Sequence, residues 1–363
     1  MSSVKGQVRM KGMLDEIGKL TDRAGRPLKL MEVCGTHTVA IFRHGIRGVI
    51  PGAVSLISGP GCPVCVTSVK DVDAAIAIAG LPGVVLATFG DMMRVPGGGE
   101  SLSDARSRGA DVRIFYSPMD ALRLAMESKG REVVFFATGF ETTSPLIAAT
   151  VSEAKKRGVR NFSVYTVHKL VPPALRALLD SPDVQVDGFI LPGHVSTIIG
   201  MKPYEFMASE YGKPGVITGF EAEDIVGGIL MILIQLARKK AAIEIQYSKV
   251  VRPEGNPRAV ALIDEVFEPA DAYWRGIGTI PGSGLRLREG FAGFDALRRF
   301  SPDVPDCPEP AACSCGDVLR GVKIPLDCPL FGAACTPETP VGACMVSTEG
   351  SCAAYHRYGA CRG

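Results

Sequence analysis

The chain has 363 residues, room for two or three domains. Hydrophobic residues make up 46% and charged residues 21%, a balance that excludes a disordered chain. A net charge of +2, with acids and bases interspersed, gives no basis for nucleic-acid binding or for attraction to a membrane surface.

Residues 12–24 pattern as a lead-in helix. Short apolar runs rich in β-branched residues follow, each ending in a glycine-rich or polar turn and then a helical stretch. The first four are Leu30–Val33, Val54–Ile57, Val84–Ala87 and Val112–Phe115. After a helix near Met119–Lys129 come Val133–Ala137, Phe162–Thr166, Gly188–Leu191 and Gly215–Thr218. Strands alternating with helices imply βαβ units and parallel sheets. Two consecutive sets of four predict two similar α/β domains, residues 1–120 and 121–240, joined near 117–131. The apolar helix Asp224–Lys239 would close the second. Residues 241–363 form a C-terminal extension, with a possible strand at Ile243–Tyr247, a helix at Pro257–Phe267 and a glycine-rich stretch, Ile277–Arg299, that packs the tail onto the α/β body.

The N-terminus, M-S-S-V-K-G-Q-V-R, lacks an apolar signal core. The longest apolar run, Ile225 to Ala237, contains a glycine pair and a glutamine and falls short of the ~20 residues a membrane span requires. A cytoplasmic location is expected, with no membrane partner.

The unusual residues fall immediately after strands. The first set gives C-G-T-H-T (Cys34 to Thr38), G-P-G-C-P-V-C (Gly59 to Cys65) and F-G-D-M-M-R-V-P-G (Phe89 to Gly97). The second gives T-G-F-E-T-T (Thr138 to Thr143), V-H-K-L (Val167 to Leu170), P-G-H-V-S (Pro192 to Ser196) and T-G-F-E-A-E-D (Thr218 to Asp224). In open parallel sheets, ligands bind where strand ends and helix N-termini converge. Two such faces turned toward each other would line one cleft with these motifs.

Cys62 and Cys65 form a C-x-x-C at a helix start, the context of a dithiol/disulfide couple. Gly59 and Gly61 would let backbone approach a partner. Cys34, beside Thr36 and His37, suits a nucleophile or a metal ligand, although a lone cysteine after a strand is more often a small buried hydrophobe. His194 is a candidate proton donor, or simply a turn residue that satisfies backbone groups. Glu141 reads as an anion or substrate clamp as much as an N-cap. His168 and Asp91 are weaker versions of the same case. No P-loop, dinucleotide fingerprint or Ser–His–Asp elbow occurs.

The tail from Cys307 to Cys361 holds eight of the eleven cysteines. In a reducing compartment so dense a cluster argues for a soft metal rather than disulfides. Six of the eight are Cys313, Cys315, Cys328, Cys335, Cys344 and Cys352, and no C-x-x-C zinc knuckle is among them. An iron–sulfur cluster tolerates such irregular spacing, and six thiols exceed its needs by two. Zinc and unrelated structural thiols stay open as alternatives.

Taken together, C-G-T-H-T, G-P-G-C-P-V-C, G-F-E-T-T, P-G-H-V-S and the tail C-x-C-G-D-V-L-R-G…C-P-L-F-G…C-T-P…V-G-A-C-M-V-S-T-E-G-S-C closely resemble the HypD family of hydrogenase maturation proteins, from about residue 10 to 358. The resemblance implies a small iron–sulfur C-terminal domain carrying a 4Fe-4S cluster. It implies a scaffold, working with the chaperone HypC, for the Fe(CN)2CO unit of nickel–iron hydrogenase, with cyanide brought by HypE after loading by HypF. By position, Cys34 resembles the ligand of the transient iron, shared with a partner cysteine. Cys62 and Cys65 resemble the redox dithiol. Cys313, Cys328, Cys335 and Cys352 resemble the cluster ligands, and Cys315 and Cys344 a second thiol pair between cluster and cleft. Thr36, His37, Glu141 and His194 fall within the segments that carry the resemblance, and an imidazole such as His194 or His37 could donate a proton to a departing thiolate. Cys307 and Cys361 match no signature segment. The resemblance implies metallocofactor assembly with redox chemistry, without assigning a turnover reaction. A cluster-linked thiol–disulfide reductase resembling ferredoxin–thioredoxin reductase is the alternative, and for it Cys34 with Thr36 and His37 is superfluous.

Overall fold

A computed structural model describes residues 2–305 and 307–359 of the chain. Cys361 lies outside the described residues. Nine strands make two parallel sheets: β1 (Leu28–Glu32), β2 (Val54–Ser58), β3 (Val84–Thr88), β4 (Asp111–Ile114), β5 (Glu132–Ala137), β6 (Phe162–Thr166), β7 (Gly188–Pro192), β8 (Gly215–Thr218) and β9 (Ile243–Ile245). The central strands β3 and β7 are buried at every position. That is why these runs read as continuously apolar rather than alternating: helices cover both faces of a parallel sheet.

The strands are not grouped as two consecutive sets of four. One sheet has the order β2-β1-β7-β8-β9 and the other β4-β3-β5-β6. The chain leaves the first sheet after β2, builds the whole second sheet, and returns at β7. Boundaries at 120 and 240 therefore do not follow sheet membership. The return is fixed by β1, whose second edge pairs with β7 in the register Leu30↔Gly188, Met31↔Phe189 and Glu32↔Ile190. Gly188 suits this place because a Cβ there would lie 2.5 Å from the Ile232 side chain.

The lead-in helix runs Ser2–Ala24 and packs on the apolar helix Ala222–Arg238, together with Leu30, Ile190 and Val216 of the first sheet. A second core lies under the other sheet, around Val85, Phe135, Ile147 and Val164. A third spans both sheets and the tail, uniting Met31, Phe136, Leu191 and Trp274 with Cys65, Cys315 and Cys344. The tail is thus part of the shared core.

The predicted helix Pro257–Phe267 is observed at Pro257–Val266. The glycine-rich stretch beyond it is half of an antiparallel hairpin, β10 (Phe267–Trp274) with β11 (Gly278–Leu287). At its tip Gly276 has φ +70 and abuts the backbone of Gly316, so the hairpin does carry the tail. Among the described residues the tail has only short helices, including Cys315–Leu319, Ala343–Val346 and Ser351–Tyr358. The last docks on the helix Gly35–Arg43 with the rings of Phe42 and Tyr355 edge-on at 4.6 Å. Arg47 lies over both rings, at 4.8 and 5.3 Å. Among the described residues, no helix is long and apolar enough to cross a membrane.

Candidate functional site

β1 ends at Glu32, and two residues on Cys34 is the N-cap of the helix Gly35–Arg43, in extended conformation. The next strand ends in the loop that carries Gly59, Gly61, Cys62 and Cys65. A Cβ on Gly61 would overlap the Val33 carbonyl oxygen, and the Gly35 N–H donates to the Gly61 carbonyl at 3.0 Å. The approach expected of these glycines is therefore to the Cys34 strand end. Cys62 caps the single-turn helix Pro63–Val66, its Sγ accepting from the Cys65 N–H at 3.3 Å. Cys65 is fully buried, and burial pushes its thiol well above the ordinary range. Cys34, Cys62 and Cys65 are all buried, not spread along an open groove.

The tail supplies a residue that sequence reasoning did not single out. Thr36 Oγ1 donates to Glu349 Oε1 at 2.6 Å, and Gly35 lacks the Cβ that would overlap the Glu349 carbonyl. Burial, with a further push from the Glu349 charge, raises the Cys34 thiol to about 11. Glu349 stands in the quoted tail motif, but a carboxylate among cysteines carries no local sign of a partner 313 positions away.

His37 and His194 meet through Phe220, a second residue that sequence reasoning missed. His37 stacks on Phe220 at 4.5 Å and His194 at 4.0 Å, so the phenyl ring lies between them. His37 Nε2 is 3.0 Å from the Gly219 carbonyl oxygen and 2.8 Å from Thr218 Oγ1. A carbonyl only accepts, so Nε2 carries the proton. Burial drives the His37 pKa down to about 4, which leaves it a neutral, orienting group. His194 is exposed on one side; partial burial lowers its pKa while the Glu349 charge opposes that. Of the two imidazoles, His194 has solvent access for proton transfer.

Glu141 is not the N-cap of its own helix, whose N-cap is Thr143. Its Oε1 accepts from the Val171 N–H at 2.9 Å, tying together the loops after β5 and β6. Burial raises it to about 7. As an acceptor here the carboxyl serves a backbone N–H of the neighbouring loop. The buried Tyr204 lies within electrostatic reach of both Glu141 and Cys34. His168 is buried with Nδ1 2.7 Å from Thr166 Oγ1, and burial lowers its pKa to about 3, the mark of a structural histidine. Asp91 is exposed, and Ser347 Oγ donates to it at 3.5 Å.

Cys313, Cys315, Cys328, Cys335 and Cys352 line one small cavity together with Phe331, Gly342 and Met345. Gly342 leaves the sulfurs room: a Cβ there would be 2.7 Å from Cys313 Sγ and 3.0 Å from Cys315 Sγ. Cys344 stands behind this ring, fully buried, on the helix that packs against Pro63–Val66. The Cys315, Cys352 and Cys65 thiols are close enough to act on its own thiol. The thiols thus run in succession from Cys62 and Cys65 through Cys344 and Cys315 to the ring. Cys307 is apart from it, against Gly98. All ten described cysteines are free. Among the described residues, no three His, Cys, Asp or Glu side chains close on one point as a single ion requires. Four thiols drawn from separate segments around a cavity do fit a polynuclear iron–sulfur group, in which each thiolate takes its own iron.

The chain is similar to known proteins. A family model described as "HypD: Hydrogenase formation hypA family" matches residues 8–359. The chain is 50% identical over 342 residues to hydrogenase maturation factor HypD2 of Bradyrhizobium diazoefficiens, covering 92% of this chain and 90% of that protein. It is 48% identical over 361 residues to hydrogenase maturation factor HypD of Rhodobacter capsulatus, covering 97% and 96% of the two chains. Over 341 residues it is 48% identical to hydrogenase maturation factor HypD of Escherichia coli, covering 93% and 91%. Matched from residue 8 to residue 359, and with the thiol motifs of that resemblance gathered on adjoining loops, this chain belongs to the HypD family of hydrogenase-formation proteins.

Proposed function

We propose that this protein works in nickel–iron hydrogenase maturation as an assembly scaffold, joined by the HypC chaperone, for the Fe(CN)2CO unit. Cyanide arrives as a thiocyanate on HypE. The observation that carries this reading is the succession Cys62, Cys65, Cys344 leading into the five-thiol ring at its member Cys315, with Cys34 fastened beside its outer end.

Cys34 is the anchor for the iron, which is cargo. A soft thiolate suits low-spin ferrous iron, and binding it requires loss of the thiol proton, which burial otherwise retains. Glu349 and His194 both act electrostatically in this neighbourhood, and His194 can exchange that proton with solvent. Release of cyanide from a thiocyanate consumes two electrons. Two thiols closing to a Cys62–Cys65 disulfide supply two electrons and two protons, so the S–CN bond breaks to a free thiol and HCN. Thiol–disulfide exchange reopens the pair as Cys344 and Cys315 close to a disulfide in its place, and two one-electron transfers from an external low-potential donor, with two protons, restore those two thiols. Cys313, Cys328, Cys335 and Cys352 would hold a 4Fe-4S cluster, whose chemistry is one-electron transfer. His194, on the exposed side of Phe220, marks where a cleft would admit partners.

Infrared spectroscopy of the anaerobically purified complex with HypC tests the scaffold. Bands from metal-bound CN and CO are expected in the wild type and lost in Cys34→Ala. A plain thiol–disulfide reductase would show no such bands in either protein.

A further inference from the structure

Arg275 follows β10 at the tip of the hairpin and is 2% exposed. Its Nε donates to Glu309 Oε2 at 2.6 Å, and one terminal nitrogen donates to the Pro96 carbonyl at 3.0 Å. The other terminal nitrogen is buried with no hydrogen-bond partner. The residue is clamped beside the C-P-V-C segment: its backbone N–H donates to the Val66 carbonyl at 2.9 Å, and Glu309 Oε1 accepts from the Val69 N–H at 3.2 Å. Arg275 and Glu309 also line a small cavity that shares Cys313, Cys315 and Gly342 with the thiol ring.

A buried cationic N–H left unpaired is costly, and its presence calls for a negative group facing it. Glu309 balances one side of the guanidinium. The thiol ring is the neighbouring group, since Cys313 and Cys315 line the same cavity as Arg275 and Glu309.

We propose that Arg275 is a positioning residue for the cluster site: a fixed positive charge, held and partly balanced by Glu309, that favours the more negative, reduced state of an iron–sulfur cluster on the tail thiolates. The inference rests on the cluster reading above. In the step concerned, a low-potential one-electron donor gives one electron to the cluster, no bond forms or breaks, and the cluster with its thiolates becomes one unit more negative. Because the guanidinium is buried, solvent and salt screen its attraction weakly. It therefore stabilises the reduced state more than the oxidised one and sets the potential at which electrons pass toward Cys315 and Cys344.

The test is an anaerobic redox titration of the full-length protein with viologen mediators, followed by the electron paramagnetic resonance of the reduced cluster, after iron and sulfide have been measured. Arg275→Gln is expected to disfavour reduction by about tenfold, which is ~59 mV downward for a one-electron couple. Glu309→Gln leaves the guanidinium uncompensated and is expected to shift the potential upward. Arg275→Lys should stay closer to wild type than Arg275→Gln. Should Arg275→Gln fail to fold, the upward shift in Glu309→Gln still decides the matter. Unmoved potentials, or shifts of the same sign in Arg275→Gln and Glu309→Gln, would reduce Arg275 to a structural clamp and overturn the inference while leaving the cluster reading intact. A wild-type protein without iron and sulfide would overturn both.

Discussion

Thr36 and Glu349, 313 positions apart, are joined by a 2.6 Å hydrogen bond from Oγ1 to Oε1. This bond brings the carboxylate of the cysteine-rich tail to the thiol two residues beyond the first strand. The C-G-T-H-T loop and the tail therefore make one site, and a change in either is felt at Cys34.

Glu349→Gln removes a negative charge that holds the Cys34 thiol up. The Cys34 pKa should fall from about 11, although burial, the larger cause, remains. At a fixed alkaline pH, alkylation of the Cys34 peptide, followed by mass spectrometry, should accelerate about 3- to 10-fold. Thr36→Val keeps the Glu349 charge and should therefore not accelerate the reaction. Equal rates in the two variants would exclude an electrostatic link from tail to thiol.

Cys328→Ala or Cys335→Ala should abolish broad absorbance at about 400 nm and remove about one cluster's iron. Cys344 lies outside the ring, so Cys344→Ala should keep iron and sulfide while cutting the thiol succession. Cys307→Ala should be silent. Loss of iron in Cys344→Ala with retention in Cys328→Ala would reverse the assignment.

Cys62→Ser and Cys65→Ser should spare the tail cluster yet block maturation of a hydrogenase substrate. Thiol titration before and after mild oxidation should differ by two in the wild type and by none in either variant, if this pair is the one that closes. A wild-type level of mature hydrogenase in both variants would make C-P-V-C structural.

Burial raises the Glu141 carboxyl from 4.5 to about 7 in the folded protein. The folded state then binds the proton more tightly than the unfolded one, so this group's contribution to stability declines as pH rises from about 4.5 to about 7 and is level beyond. Glu141→Gln keeps an oxygen for the Val171 N–H and removes the titration. Its stability relative to wild type should improve across that window, by about 2–3 kcal/mol at pH 8. Denaturation midpoints measured at pH 4.5 and pH 8 check this. A constant offset at both would show that the carboxyl titrates normally.

The placement of chemistry on the fold was legible in the chain itself. Alternating apolar runs and glycine-bearing turns locate Cys34, Cys62 and His194 after strands, because strand and turn signals depend on neighbouring residues. Which strands share a sheet was not legible. The central runs are apolar nearly throughout, and nothing within Gly188–Pro192 distinguishes β1 from β6 as its partner; only the packing of Gly188 against Ile232 and the register with Leu30 decide it. The same holds for the site. Its cysteines announce themselves by residue type, whereas Glu349, Phe220 and Arg275 are ordinary until tertiary contact brings them beside Thr36, between two imidazoles, and against the thiol ring. Local sequence thus determined the strand–turn–helix units and the thiols they carry. Tertiary structure alone decided which charges surround those thiols, since Coulomb and hydrogen-bond partners are chosen by distance in space rather than along the chain.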